Sequence, residues 1–188
     1  MFVLLGSLAA CRSDGPVADH ATASTPQATY AALRRAEESG AWGDVLRHVL
    51  PERRALVAYV TWFGAGYESI GKTPSVLEQY RGLMARHDLD EQWLSKSGTG
   101  PGVLEGLANA ALGDRPLEPL FADFTAFTAA LHPQEAVFGM QGDPEWQVDD
   151  EVAVATLADM TFTFVRKDRT WYWAFFDWPE LATNDPGA

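Results

Sequence analysis

Cysteine is almost absent: the 188 residues carry one, Cys11. A domain with a single thiol closes no disulfide within itself, so Cys11 needs another purpose. Basic residues are scarce too. Lys and Arg number 14 against 26 Asp and Glu, a formal charge of −12. A surface that negative repels phosphate backbones, which argues against nucleic acid as a partner. No apolar run reaches the roughly 18–20 residues that a bilayer-spanning helix requires. No G-x-S-x-G frames a nucleophile, and the "GKT" at Gly71–Thr73 lacks the leading glycine of a phosphate-cradling loop. His20, His48, His87 and His132 are scattered, with no two at helical i, i+4 spacing. "HDLDE", residues 87–91, reads as a helix-terminal histidine followed by a capped helix start rather than as a metal site. Neither a metal nor a cofactor is expected. Apolar residues, by contrast, make up 47% of the chain and include seven tryptophans, which excludes disorder for the body.

The one cysteine ends the stretch "LLGSLAAC", residues 4–11. Leu8-Ala9-Ala10-Cys11 resembles the bacterial lipobox: a branched aliphatic residue, two small residues that fit a peptidase cleft, then the thiol that takes a diacylglyceryl group. The resemblance implies cleavage before Cys11 and an acylated N-terminus. At roughly 0.8 kcal/mol per buried methylene, two or three acyl chains hold a protein on a membrane almost permanently. A secretory leader opens with Lys or Arg, and none lies between Met1 and Cys11, so the start of the leader is expected further upstream. The competing reading is that Phe2–Ala10 begins a buried helix and Cys11 is a core thiol. The segment after the cysteine favours lipidation. "RSDGPVADHATASTP" has no apolar periodicity and the composition of a flexible tether, reaching on average about 20–25 Å. Arg12 is not the aspartate that in enteric bacteria favours inner-membrane retention, which points to the periplasmic face of the outer membrane. The expected organisation is a leader at 1–10, an anchor and tether at 11–25, a folded domain at 26–178 and a tail at 179–188.

The body opens with helical signals. Thr25-Pro26 caps a helix that runs to Ser39, stops at Gly40 and buries Tyr30 and Leu33. Trp42, Val45, Leu46, Val49 and Leu50 fall at i, i+3, i+4, i+7 and i+8, a second amphipathic helix. Pro51 breaks it and starts a third, ending near Gly64–Gly66 and carrying Leu56, Tyr59, Val60 and Phe63 on one side. Thr73-Pro74 repeats the capping device ahead of Val76, Leu77, Tyr80, Leu83 and Met84. "SKSGTGPG", residues 95–102, is a joint, and helices are expected over about 103–112 and 117–131, the latter with a stripe of Leu120, Phe121, Phe124 and Phe127. Beyond His132-Pro133 the pattern alternates. Strands are expected at Ala136–Met140, Glu145–Val148, Val152–Leu157, Thr161–Arg166 and Trp171–Phe176. Helices first and an antiparallel β-meander last define an α+β architecture.

Residues 25–54, "TPQATYAALRRAEESGAWGDVLRHVLPERR", are similar to the opening helices of nuclear transport factor 2-like lipoproteins, and residues 148–175 to their closing strands. The resemblance implies a cystatin-like cone, a curved sheet around a long helix, with residues 67–133 as an added helical middle section. Some proteins of this fold are isomerase- or cyclase-like enzymes; many are lipoproteins without assigned activity.

The strand "TWYWAFFDW", residues 170–178, is aromatic on both faces. Trp171, Trp173 and Phe175 point one way; Tyr172, Phe176 and Trp178 point the other. The second face is either another layer of packing or a binding surface with indole N–H and phenol O–H groups as polar handles. Tyr30 would line the same cone. The candidate ligand- or partner-binding residues are therefore Tyr30, Trp171, Tyr172, Trp173 and Phe175. Isomerase-like chemistry needs a carboxylate base and an oxyanion donor. Asp44, Asp159 and Tyr30 are the right types, but Asp44 reads as the cap of a helix beginning at Val45 and Asp159 as a turn residue. From Gln134 through Val165 acidic residues occur and no Lys or Arg, which fits a solvated sheet edge or, more sharply, a docking place for a basic partner. The expectation is a lipid-anchored envelope protein whose domain binds an apolar ligand or a protein partner without chemistry. The alternatives are an enzyme in the same cone and an accessory subunit of a larger assembly.

Overall fold

A computed structural model describes residues 23–90, 92, 101–158 and 160–175. Cys11, most of the tether, residues 95–100 of the joint, Asp159, Phe176 and Trp178 lie outside them. Among the described residues, six α-helices precede a four-stranded antiparallel sheet, an α+β arrangement. Helix α1 spans Pro26–Ser39. Its start is set as the sequence implies: Thr25 Oγ1 accepts the Ala28 N–H at 3.2 Å, Pro26 takes the first turn, and Gly40 closes the helix in the left-handed region at φ 68°.

Helix α2, Trp42–His48, is shorter than its periodicity suggests. Val49 turns extended and bridges to Trp173 in the sheet, so the apolar residues that would prolong the helix are spent on strand contact instead. Asp44 is not the cap; Ala41 holds that position, and Asp44 lies in the first turn beside Arg47, where a negative charge suits the helix dipole. A 3-10 turn at Pro51–Arg53 leads into α3, Arg54–Ser69. That helix runs through Gly64 and Gly66 rather than ending there. Their cost in helix propensity is offset by packing, with Ala65, Gly66 and Ser69 buried. Helix α4, Pro74–Arg86, buries Tyr80 and Met84, although Thr73 makes no side-chain cap. Helix α5, Pro101–Leu112, opens two residues earlier than expected, with proline at the first helical position. Helix α6, Leu117–Leu131, buries the predicted Leu120, Phe121, Phe124 and Phe127.

The strands are β1 (Glu145–Val148), β2 (Val152–Leu157), β3 (Met160–Lys167) and β4 (Thr170–Trp173), in spatial order β1-β2-β3-β4. Asp168 and Arg169, at φ 51° and 68°, form the two-residue turn whose twist matches the strands it joins. The expected strand at Ala136–Met140 is an irregular loop. Glu37 on α1 accepts the N–H groups of Phe138 at 2.6 Å and Met140 at 3.0 Å, which occupies donors that a ladder would need. Gly139 between them sits at φ 68°, outside strand geometry.

One face of the sheet packs on the helices. Ala153, Ala155, Phe162, Phe164, Trp171 and Trp173 lie on it, and all are buried. The opposite face carries Val154, Thr163, Val165 and Tyr172, all half-buried. The two edges of the sheet differ. At β4, the Trp171 N–H donates to Ala23 O (3.1 Å), its carbonyl accepts the Thr29 hydroxyl (3.0 Å), and the Trp173 carbonyl accepts the Leu50 N–H (3.0 Å). At β1, the only strand partner among the described residues is β2.

Candidate functional site

The candidate aromatics divide between the interior and the surface. Tyr30, Trp171 and Trp173 are each only 5% exposed. Tyr30 reaches the sheet from α1 and meets Phe162 and Phe164 edge-on, at ring separations of 5.8 and 6.4 Å. Trp173 packs against Phe138 (5.6 Å), Phe162 (6.2 Å) and Phe175 (4.7 Å). Phe175 is half-buried and leaves the strand at φ 68°, which folds its ring back over Trp173. Tyr172 stands apart on the other face. The structure thus brings Trp173 and Phe175 together, links them to Tyr30 through Phe162, and leaves Tyr172 out of the group.

Two members of this aromatic assembly are not apparent from the strand alone. Phe138 sits among Trp42, Phe121, Trp173 and Phe175 at 5.6–6.1 Å. Trp146, on the edge strand β1, meets Tyr30 at 5.9 Å and Phe164 at 5.6 Å. Trp146 is legible in principle, since it alternates with the polar Glu145 and Gln147. Phe138 is not, because a loop residue shows no period.

Surface hollows among the described residues adjoin this interior. A groove of about 350 Å³ lies between α1 and β1, lined by Tyr30, Ala31, Arg34, Asp143, Pro144 and Trp146 among others. A second, of about 260 Å³, separates α3 from α6 and is mostly apolar, with Ala65, Thr125 and Phe138 inside and Tyr67, 69% exposed, among its lining residues. A third, of about 240 Å³, runs past Glu37, Trp42, His132 and Glu135. His132 Nε2 sits 3.1 Å from Glu68 and its Nδ1 3.8 Å from Glu135, so the imidazole lies between two surface carboxylates.

The α1–β1 groove has the types that isomerase chemistry uses, a tyrosine with carboxylates nearby, but not their arrangement. Glu38 and Asp143 pair with Arg34 at 2.9 and 3.5 Å, and their side chains are 57% and 103% exposed. A base poised for carbon acids needs shielding from water, which neither has. The Tyr30 hydroxyl is buried and makes no hydrogen bond to either. Burial pushes its pKa up; Arg34 pulls it back in part, and Glu37 and Asp143 add to the rise. No group of three or more metal-binding side chains forms among the described residues.

The helices also carry ion pairs that serve packing. Asp123 on α6 accepts from Arg86 Nη1 (2.8 Å) and His87 Nε2 (2.9 Å), tying the end of α4 to α6. Burial raises the Asp123 carboxyl pKa, but the bonds from His87 and Arg86 together outweigh it and hold the group below its ordinary value. No helix among the described residues is long and apolar enough to cross a membrane. Compared with known proteins, the chain matches no family model, no curated protein and no solved structure.

Proposed function

We propose that this chain is a lipid-anchored envelope protein, attached through Cys11, whose domain binds a protein partner without chemistry. The observation that carries the choice of partner over apolar ligand is how the interior is filled. Tyr30, Trp171 and Trp173, the residues that would line a ligand-holding cone, are each 5% exposed, and Tyr30 and Trp173 both pack on Phe162. Binding then falls to the surface, where grooves and a strand edge with no partner among the described residues are available. Helix α1 lying across the inner face of the sheet supports the cystatin-like, nuclear transport factor 2-like assignment. In this reading α4 to α6, within residues 67–133, belong to the added helical section that thickens the core.

Two measurements test the proposal. Cys11→Ser should move the protein from the membrane to the soluble fraction; retention through a carbonate wash would refute the anchor. Cross-linking in intact membranes should give a discrete protein adduct. A stoichiometric apolar small molecule in the native mass spectrum, with no protein adduct, would refute the partner.

A further inference from the structure

We propose that the outer edge of β1 is a docking strand for an extended, basic segment of the partner, an inference that rests on the partner-binding reading above. The backbone supplies the first part of the case. The Asp149 N–H donates to Val152 O at 2.8 Å, which fixes that residue pair as hydrogen-bonded. Antiparallel pairing alternates, so Gln147 with Val154 and Glu145 with Thr156 are the next bonded pairs. Trp146 and Val148 therefore turn their N–H and C=O groups away from β2, and no backbone group among the described residues meets them. The corresponding outward groups on β4 are engaged by Ala23, Thr29 and Leu50. Among the described residues, one edge is sealed and the other is open.

The second part is a side-chain receptacle at the open edge. A strand added to β1 would lie about 4.8 Å beyond it, with the residue opposite Trp146 pointing to the same face as Trp146. On that face lies the groove of about 350 Å³ against α1. Its wall includes Tyr30, 95% buried (5% exposed), whose hydroxyl has no hydrogen-bond partner. Backbone ladder and side-chain pocket together are the two components of recognition by strand addition, one giving affinity and the other selectivity.

Charge selects the occupant. Glu145, Asp149, Asp150 and Glu151 stand exposed on or beside β1, with no Lys or Arg between residues 134 and 165, and Arg34 across the groove is engaged by Glu38 and Asp143. A segment with Lys or Arg opposite Glu145 gains across the ladder, whereas like charges there are destabilising. A second copy would set β1 against β1, acid against acid, with −12 on each chain. Residues 176–188 of this chain carry three acids and no basic residue, so they fit no better.

The test uses the full chain and a blocked heptapeptide, Lys-Val-Lys-Phe-Lys-Val-Lys, beside the same peptide with Glu for Lys. The basic peptide should bind, weakening as salt is added, and slow amide exchange at Trp146 and Val148 by about tenfold or more; the acidic one should not. Val148→Pro removes an outward donor and leaves the bonded pairs on either side intact, so it should weaken binding about tenfold. Glu145→Lys, which leaves the backbone edge unchanged, should weaken it several-fold. Equal binding to the proline variant without protection at 146 and 148 would show mere attraction to an acidic surface and overturn the proposal, as would no binding of the basic peptide. If the membrane cross-link survives both variants, the partner reading stands and the docking strand falls. If the peptide docks as described but no protein cross-link forms in membranes, the partner reading fails instead.

Discussion

Glu37 holds the loop that closes the aromatic core, and its removal has a calculable effect. Its two carboxylate oxygens accept the Phe138 and Met140 N–H groups at 2.6 and 3.0 Å, across more than a hundred residues of sequence. Hydrogen bonds to a charged group contribute about 1.5–3 kcal/mol each, but both are only partly buried and water can replace some of the loss. Glu37→Ala should therefore cost about 2–4 kcal/mol, and Glu37→Gln, which keeps one acceptor, about half of that. For a domain of this size the alanine variant should melt roughly 4–16 °C lower. Urea titration followed by tryptophan fluorescence measures the loss, and amide exchange at Phe138 and Met140 locates it. A cost below about 0.5 kcal/mol with unchanged exchange at both amides would refute the role assigned to this carboxylate.

Trp173→Ala should destabilise by about 3–5 kcal/mol, because its indole fills the space between Phe138, Phe162 and Phe175; a loss under about 1 kcal/mol in the same titration would place it at the surface. Tyr30→Phe deletes a buried hydroxyl with no hydrogen-bond partner and should leave stability unchanged or raise it by about 1 kcal/mol. A clear loss would mean that the hydroxyl is bonded in solution. Asp123 has a folded-state pKa below its ordinary 3.8, so its contribution is complete above the unfolded value and vanishes as pH falls through the lower folded one. Asp123→Asn should accordingly flatten the acid limb of the stability profile below about pH 5, and an unchanged limb would show that the His87 and Arg86 bonds carry no net free energy.

The parts of this fold legible in the sequence are those written in local chemistry. Thr25, Pro26 and Gly40 bound α1 by capping and backbone conformation alone, and the stripe from Leu120 to Phe127 declares its buried side by period. The hairpin at Asp168-Arg169 shows as a polar break between alternating runs. What escaped depends on distant residues. Ala136–Met140 has the composition of a strand, and only Glu37, from the opposite end of the chain, makes it a loop. Val49 matches a helical face, and only Trp173 draws it into the sheet. The aromatic strand announced its importance but not its surroundings. Whether Trp171 and Trp173 meet solvent or core is decided from outside the strand: Thr29 of α1 reaches the Trp171 carbonyl, Phe138 of the preceding loop packs on Trp173, and the groove beside Trp146 lies between β1 and α1.

The seal on β4 also governs how load passes through the domain. Ala23 is fastened to Trp171, while Phe175 follows the same strand, so the chain comes in and goes out along one margin of the sheet. Tension from upstream must strip Ala23 from the last strand before the first helix can begin to unwind. Three strand spacings away, roughly 14 Å, the far margin lies outside that first contact and meets the pull only through the side chains of the first helix, after the near side has been tugged.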